Sequence, residues 1–271
     1  MKKSIVIILI VLLLGVFAFS AWQVLDTLQE YRVGEKFYEE MDQYISVPEP
    51  TEKKRPFWEK ENPAEETLPE EPTEPAWPEV DFASLQEINK DVVGWIYIPG
   101  TRVSYPIVQG KNNDRYLYRL ITGEYNSAGS IFLEAGIARD FSEQNNPIYG
   151  HNMKNGTMFA DVTGYKSQEF YDTHPYAMLL TPDQNYYVRV FSGYVLSEWG
   201  DAWETAFSEE GFEKWLKNVE RKSYFAADDV IPTTEDRILT FSTCTYETDN
   251  VRFVVHGVLE EYIPEDENAA E

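Results

Sequence analysis

Short apolar segments separated by turn-forming residues fill the chain from residue 94 to residue 259, and they constrain its fold more than any other feature. Gly, Pro, Asn or Asp stands between most neighbouring segments. Short strands with turn residues between them are typical of a β-sandwich or a β-barrel. The strands predicted on this basis span residues 94–98, 103–108, 130–133, 147–149, 177–180, 186–196, 237–243 and 251–259.

Helical patterns precede and interrupt these strands. The stretch DFASLQEINK, which starts at Asp81, predicts a short helix before the first strand. The clearest helix is predicted at 208–222, where four apolar side chains fall on one face. Further helical segments are predicted at 113–119 and 158–171. The domain is therefore expected to be mostly β with helices added to it.

The N-terminus reads MKKSIVIILIVLLLGVFAFSAW, with two lysines before an apolar run that ends at about Trp22. About 18 apolar residues are enough to cross a bilayer, and the lysines keep this end in the cytoplasm. We interpret residues 1–22 as a single-pass membrane anchor with the rest of the chain outside the cell. The alternative is a cleaved signal peptide, because Ala18-Phe19-Ser20 resembles a small-x-small cleavage site.

Three further regions surround the predicted strands. Residues 23–45 keep a helical pattern, which indicates either a stalk or a helix that packs on the domain behind it. Residues 46–80 are rich in Pro and Glu and predict an extended acidic spacer that holds the domain away from the membrane. The folded domain is expected at 81–262, followed by an acidic tail at 263–271.

The chain is strongly acidic, with a formal net charge of −24. A surface of this charge repels nucleic acid, so nucleic-acid binding is excluded. The charge suits a soluble domain outside the cell and a cationic partner. The acidic runs lie in spacer-like sequence and form no ligand pattern, so neither a metal nor another cofactor is predicted.

One cysteine, Cys244, ends the predicted strand 237–243 in the stretch ILTFSTC. Exported proteins commonly pair their cysteines, but a single cysteine has no partner within its own chain. It is therefore an intermolecular link, an inert buried residue or a reactive thiol. Strand alternation places it on the more polar face.

Arg252 lies in the next strand, VRFVVHGVL, and neighbouring strands can bring it beside Cys244. One interpretation is a surface strand residue. The other is a guanidinium that lowers the pKa of a thiol and binds an oxyanion.

A nucleophilic cysteine usually needs a histidine partner, and the chain offers three. His174 sits in a turn before a strand, where a surface role is favoured. His256 is four strand residues from Arg252, about 13 Å along the strand, so a half-buried structural role is favoured. His151 follows a short strand in the stretch IYGHNM, and loops leaving strands often display catalytic side chains. Spacing alone favours His151.

These segments together resemble the sortase family of Gram-positive bacteria, and more narrowly the class B sortases. The resemblance rests on GWIYIPGTRVSYPIVQGKNNDRYL, GSIFLEA, IYGHNMKNGTMFADV, STCTYE and the amphipathic helix before the cysteine strand. Several motifs in the same order, over residues 81–259, make it specific. The resemblance implies a sortase-like eight-stranded β-barrel with helical additions.

The resemblance also implies roles for individual residues. Cys244 matches the cysteine that ends the family's TLxTC strand and would be the nucleophile. His151 would be the general acid and base, and Arg252 would bind the substrate carbonyl or the oxyanion. The implied binding residues for the sorting peptide are Asn113, Leu117, Ser242 and Thr243.

The implied activity is that of a membrane-anchored cysteine transpeptidase. Such an enzyme cleaves a C-terminal sorting motif of an exported surface protein through a thioacyl intermediate. It then joins that protein to an amine of a peptidoglycan precursor. Three alternatives stay open: a cysteine peptidase that uses water, a pilin-polymerising sortase, and a tethered binding barrel with a buried cysteine.

Overall fold

The computed structural model describes residues 2–48, 77–245 and 250–263. Its first elements are helix α1 (Lys2–Met41), strands β1 (Ile45–Ser46) and β2 (Glu79–Val80), and helix α2 (Phe82–Ile88). The barrel strands are β3 (Val92–Tyr97), β4 (Ser104–Val108), β5 (Ile131–Leu133), β6 (Asn145–Tyr149), β7 (Tyr176–Leu180), β8 (Tyr186–Ser197), β9 (Ile238–Cys244) and β10 (Val251–Glu261). Helix α3 (Gln168–Thr173) precedes β7, and helix α4 (Glu209–Lys222) lies between β8 and β9.

Eight strands in the described part of the chain close into a barrel in the order β10-β8-β7-β3-β4-β5-β6-β9. Neighbours are antiparallel except β4 with β5 and β6 with β9, which are parallel. Closure pairs each of these eight strands with two neighbours, so the barrel itself has no edge strand. The predicted barrel and all eight predicted strands are confirmed, with ends shifted by a few residues.

Large apolar side chains fill the barrel and the space under α4. Trp95, Phe241 and Phe253 are fully buried in the main core. Helix α4 starts at an N-cap, where the Ser208 hydroxyl accepts a hydrogen bond from the Gly211 N–H at 3.1 Å. The sequence predicted its apolar face, which in the structure is buried against β8 and β10, and each buried large side chain contributes about 1.5–3 kcal/mol.

The predicted helix at 113–119 is wrong, because this segment forms successive turns. Side chains and distant backbone groups take the hydrogen bonds that a helix needs. The Asn112 side chain accepts from the Arg115 N–H at 3.0 Å, and the Tyr116 carbonyl accepts from the Ser130 N–H at 3.0 Å. The helix predicted at 158–171 is present only in part. It is divided into a 3₁₀ helix at Asp161–Lys166 and α3 by the extended residue Ser167.

The C-terminal part of α1 packs on the barrel, which decides between the two readings of the helical pattern at 23–45. Tyr38 and Met41 are buried in the main core. The Tyr38 hydroxyl donates to the Gly129 carbonyl at 2.5 Å, and Glu35 pairs with Arg102 at 2.7 Å. The boundaries at residues 22, 45 and 80 stay predictions. Most of the predicted spacer and tail, residues 49–76 and 264–271, lies outside the described residues.

Within the described residues, one segment has the length and composition of a membrane span. This segment is Ile7–Tyr44. Its most apolar window has a mean hydropathy of 2.5, and none of that window is buried against the rest of the protein. It lies near the N-terminus, where a signal sequence has the same properties. This segment is a candidate anchor by length and composition.

Gly34 allows α1 to approach the barrel closely, and we expect Gly34→Leu to destabilise the protein. A Cβ at this position would lie 2.7 Å from Asn126 Oδ1 and 3.2 Å from Ala128 Cβ. Overpacking of this kind costs about 1–3 kcal/mol of unfolding free energy. The control is Gly15→Leu, which gains the same helix propensity but meets nothing within 4 Å. Thermal denaturation of both variants in detergent checks the prediction, and equal stabilities would contradict it.

Candidate active site

Three neighbouring strands bring Cys244, Arg252 and His151 to the same end of the barrel. In the antiparallel pair β9–β10, Arg252 is directly opposite Cys244. In the parallel pair β6–β9, Tyr149 is opposite Ser242, so His151 and Cys244 each lie two residues beyond a matched pair. Adjacent strands are about 4.8 Å apart. The register therefore sets Cys244 between the other two residues.

Backbone contacts tie the histidine loop to the cysteine strand. The Gly150 N–H donates to the Ser242 carbonyl at 3.1 Å, and the Asn152 side chain donates to the Cys244 carbonyl at 3.1 Å. Gly150 has no room for a side chain, because a Cβ would lie 2.4 Å from Ile131 Cδ1. These contacts fix where the chain leaves β6 and hence where His151 stands.

A cavity of about 690 Å³ opens at this end of the barrel. Every site residue predicted from the sequence lines it: Asn113, Leu117, His151, Ser242, Thr243, Cys244 and Arg252. A cavity of this size is in the range that holds a small-molecule or peptide ligand. The structure thus gathers residues that span more than half of the sequence into one site.

His151 is held by a backbone carbonyl and by an aromatic ring. Its Nε2 lies 2.7 Å from the Leu117 carbonyl oxygen, and its ring stacks on Tyr118 at a centroid distance of 5.5 Å. A carbonyl only accepts, so Nε2 carries the proton and Nδ1 has the free lone pair in the neutral ring. Leu117, predicted from family resemblance to bind peptide, contributes its carbonyl to the orientation of His151.

Burial lowers the pKa of His151 below its ordinary value of 6.5. The hydrogen bond to Leu117 acts in the opposite direction, and the positive charge of Arg252 lowers the pKa further. The ring is consequently neutral at pH 7. A neutral imidazole can accept a proton from a neighbouring thiol.

Arg252 is oriented by Glu198, a residue that the sequence reasoning missed. The Arg252 Nη2 donates to Glu198 Oε2 at 3.3 Å, and both side chains are about 30% exposed, at 31% and 28%. Glu198 follows the end of β8, and its N–H donates to the Asn250 carbonyl at 3.0 Å. Such a half-exposed pair adds little stability. Its effect is to hold the guanidinium at the cavity wall.

The predicted peptide-binding residues use their polar groups in different ways. The Ser242 hydroxyl accepts from Trp203 Nε1 at 3.0 Å. The Asn113 amide donates to Glu134 Oε1 at 2.7 Å and accepts from the Ala135 N–H at 2.9 Å. The Thr243 hydroxyl is buried and has no hydrogen-bond partner among the described residues.

Trp199 and Trp203 were also missed. They line the cavity from the segment after β8, and Trp199 is 86% exposed. A prediction that β8 pairs with β10, the strand that carries Arg252, would have placed this segment and Glu198 beside Arg252. The predicted strands 186–196 and 251–259 are long enough to pair in this way, so the sequence allowed that prediction.

The other two histidines lie outside the cavity. His256 is fully buried, more than predicted, with its Nδ1 2.8 Å from the Thr240 hydroxyl. Burial lowers the pKa of His256 to about 3, so it stays neutral. His174 stacks on Phe170 at a centroid distance of 4.3 Å. Both have structural contacts and neither reaches Cys244.

Comparison with known proteins agrees with this architecture. A family model described as the sortase domain matches residues 96–260. The chain is 39% identical to sortase B of Listeria monocytogenes over 182 residues, which are 66% of this chain and 74% of the relative. It is 36% identical to sortase B of Staphylococcus aureus over 177 residues, which are 64% of this chain and 72% of the relative.

A solved structure shows the same fold. It is described as a Staphylococcus aureus sortase B–substrate complex, with a TM-score of 0.64 and 34% identity, covering 67% of this chain and 85% of that one. The family model alone matches more than half of the chain. The chain therefore belongs to the sortase family of cell-wall cysteine transpeptidases, and its relatives within that family are sortase B enzymes.

Proposed function

We propose that this sortase uses Cys244 as nucleophile, His151 as general acid and base, and Arg252 to bind the oxyanion. Its substrate would be the C-terminal sorting motif of an exported surface protein, and its acceptor an amine of peptidoglycan. The observation that carries the proposal is the register that sets Cys244 between Arg252 and His151 at one cavity. The candidate membrane span supports anchoring of the enzyme with this domain outside the cell.

In the first half-reaction, Cys244 Sγ attacks the scissile carbonyl of the sorting motif. Its proton passes to His151 Nδ1, the nitrogen left free by the hydrogen bond from Nε2 to Leu117. The Arg252 guanidinium stabilises the tetrahedral oxyanion. The C–N bond then breaks, His151 returns the proton to the leaving amine, and a thioester on Cys244 is left.

In the second half-reaction, an amine attacks the thioester carbonyl. His151 accepts a proton from the attacking nitrogen, and Arg252 again binds the oxyanion. Collapse breaks the C–S bond, and the proton on His151 returns to the Cys244 sulfur. A new amide joins the surface protein to the peptidoglycan amine, and the enzyme is regenerated.

The cavity wall gives the peptide both polar and aromatic contacts. Asn113, Leu117, Ser242 and Thr243 are the proposed binding residues, and all of them line the cavity. The related Staphylococcus aureus enzyme is described in complex with substrate, and its fold matches this one. That likeness supports a peptide-binding role for the same end of the barrel.

Product analysis of the full-length enzyme in detergent tests the proposal. The enzyme is incubated with a panel of sorting pentapeptides, alone or with a diaminopimelate-based amine, a glycine-based amine or a lysine-bearing protein, and the products are identified by mass spectrometry. Acyl transfer from Cys244 to the amine supports the transpeptidase. Transfer to water alone, whichever amine is offered, would identify a peptidase, and transfer only to a protein lysine would identify a pilin-polymerising enzyme.

We expect Arg252→Ala to lower kcat/KM about 100- to 1,000-fold, the usual effect of losing one oxyanion donor. The loss should lie mainly in kcat, because the oxyanion forms only in the transition state. Steady-state kinetics with a fluorogenic sorting peptide measure it. The matched control is Arg189→Ala, which removes a β8 arginine paired with Asp229 and outside the cavity. A loss confined to KM, or an equal loss in the control, would refute the role of Arg252.

A further inference from the structure

We propose that α1 is a rigid strut that holds the mouth of the active site against the outer surface of the bilayer. In this arrangement the exposed rings of Tyr118 and Tyr125 face the lipid headgroups. The inference rests on the membrane anchor in the proposed function and does not depend on the catalytic roles. It concerns where the barrel stands relative to the membrane.

Helix α1 is continuous from the apolar N-terminal segment to the barrel. The helix runs without a break for 40 residues, from Lys2 to Met41, and contains no proline. A helix of that length is about 60 Å long. Its apolar N-terminal part and the part that packs on the barrel therefore belong to one stiff element.

Several polar contacts fix α1 to the barrel. The Glu30 carboxylate accepts a hydrogen bond from the Ser127 N–H at 2.8 Å. The backbone carbonyl of Glu30 accepts one from the Asn126 side chain at 3.0 Å. One to two turns later, Glu35 pairs with Arg102 and Tyr38 donates to the Gly129 carbonyl. Contacts spread over more than two turns of a helix fix both its height and its rotation relative to the barrel.

The barrel begins a short distance beyond the apolar part of α1. Glu30 is eight residues beyond Trp22, where the apolar run ends, which is about 12 Å along a helix. The headgroup region on each side of a bilayer is about 5–8 Å thick. Leu25 and Leu28, between these two positions, are exposed and extend the apolar surface towards the barrel. Asn126 and Ser127, the barrel residues that contact Glu30, thus stand within about 7 Å of the outer edge of the headgroups.

Two exposed tyrosines connect this region with the active site. Tyr125 directly precedes Asn126 and is 70% exposed. Its ring stacks on Tyr118 at a centroid distance of 6.3 Å, and Tyr118 in turn stacks on His151. Tyrosine favours the membrane–water interface, because its ring is apolar and its hydroxyl polar. The two rings form an aromatic row from the lipid surface to the mouth of the cavity.

Most of the acidic segment that the sequence predicted to be a spacer lies between the paired strands β1 and β2. Ile45 pairs with Val80 and Ser46 with Glu79, so the chain enters and leaves this segment at adjacent points. Paired strand residues are about 5 Å apart. The segment from 47 to 78 therefore adds no length between the bilayer and the barrel. In our proposal α1 alone sets that distance, and membrane-bound substrates meet the active site at the lipid surface.

Fluorescence quenching in vesicles tests the strut. Full-length protein with Cys244→Ala and Tyr125→Cys carries an environment-sensitive fluorophore at 125. It is reconstituted into phosphatidylcholine–phosphatidylglycerol vesicles that contain a lipid with a headgroup nitroxide. The control places the fluorophore at Ile231, which is 77% exposed in the segment leading to the start of β9, the end opposite to Cys244. We expect quenching at 125 to exceed that at 231 by about twofold or more, given the thickness of the headgroup region.

Two further variants separate the strut from the spacer. Four glycines inserted between Leu25 and Asp26 should reduce quenching at 125 to the level at 231, because they uncouple the barrel from the anchor. Replacement of residues 49–76 by a short Gly-Ser linker should leave quenching unchanged. Equal quenching at 125 and 231 in vesicle-bound protein, or a loss on removal of 49–76, would overturn the strut alone. Failure of the protein to sediment with vesicles would overturn the anchor and the strut together.

Discussion

Cys244→Ala is expected to abolish both cleavage of sorting peptides and transfer to an amine, with a loss of at least about 10⁴-fold in rate. Cys244 supplies the only thiol in the chain, so no neighbouring sulfur can replace it. The variant should also form no thioester, which intact-mass spectrometry after a short incubation with peptide detects. Wild-type enzyme treated in the same way should gain one acyl group.

The fold of this variant should be unchanged. Cys244 ends β9 with a partly exposed side chain, and its carbonyl, which accepts from Asn152, is kept in alanine. A loss of less than about 1 kcal/mol in unfolding free energy is expected for such a position. Residual cleavage by Cys244→Ala at wild-type rates would assign the nucleophile to another residue.

The barrel was predictable because its strands carry their own signals. Short apolar segments with turn residues between them located all eight, and the motifs within them resembled one family in the same order. The proximity of Cys244 to Arg252 followed from the same logic, since two consecutive strands commonly pair. The parallel pairing of β6 with β9 could not be predicted from any local pattern, because the paired residues Tyr149 and Ser242 are 93 residues apart in the chain.

The parts that the sequence did not reveal depend on tertiary contacts. Glu198 reaches Arg252 only because β8 pairs with β10 along its whole length. The predicted helix at 113–119 gave way to turns because long-range backbone hydrogen bonds, such as that from Ser130 to Tyr116, took its carbonyl groups. Helix propensity reflects only neighbouring residues, so it does not predict hydrogen bonds to groups this far away in the chain.

His151→Ala is the second variant with a large expected effect, a loss of about 10³- to 10⁴-fold in kcat/KM. Without the imidazole, no group takes the thiol proton or protonates the leaving amine. His174→Ala is the matched control, because His174 lies outside the cavity. His256 is unsuitable, since its removal leaves the buried Thr240 hydroxyl with one partner fewer. Steady-state kinetics with one fluorogenic peptide compare the three enzymes, and an equal loss in the His174 variant would contradict the assignment.

The pH dependence of the wild-type enzyme gives this assignment a sharper test. Burial lowers the pKa of His151 below 6.5, so the ring is neutral and able to accept the thiol proton down to a pH below that value. As the pH falls through this lowered pKa, both ring nitrogens become donors and cleavage is lost. The acid limb of kcat/KM should therefore have its midpoint below 6.5, and His151→Ala should lose that limb. A midpoint above 6.5, or the same limb in the alanine variant, would show that another group controls the reaction.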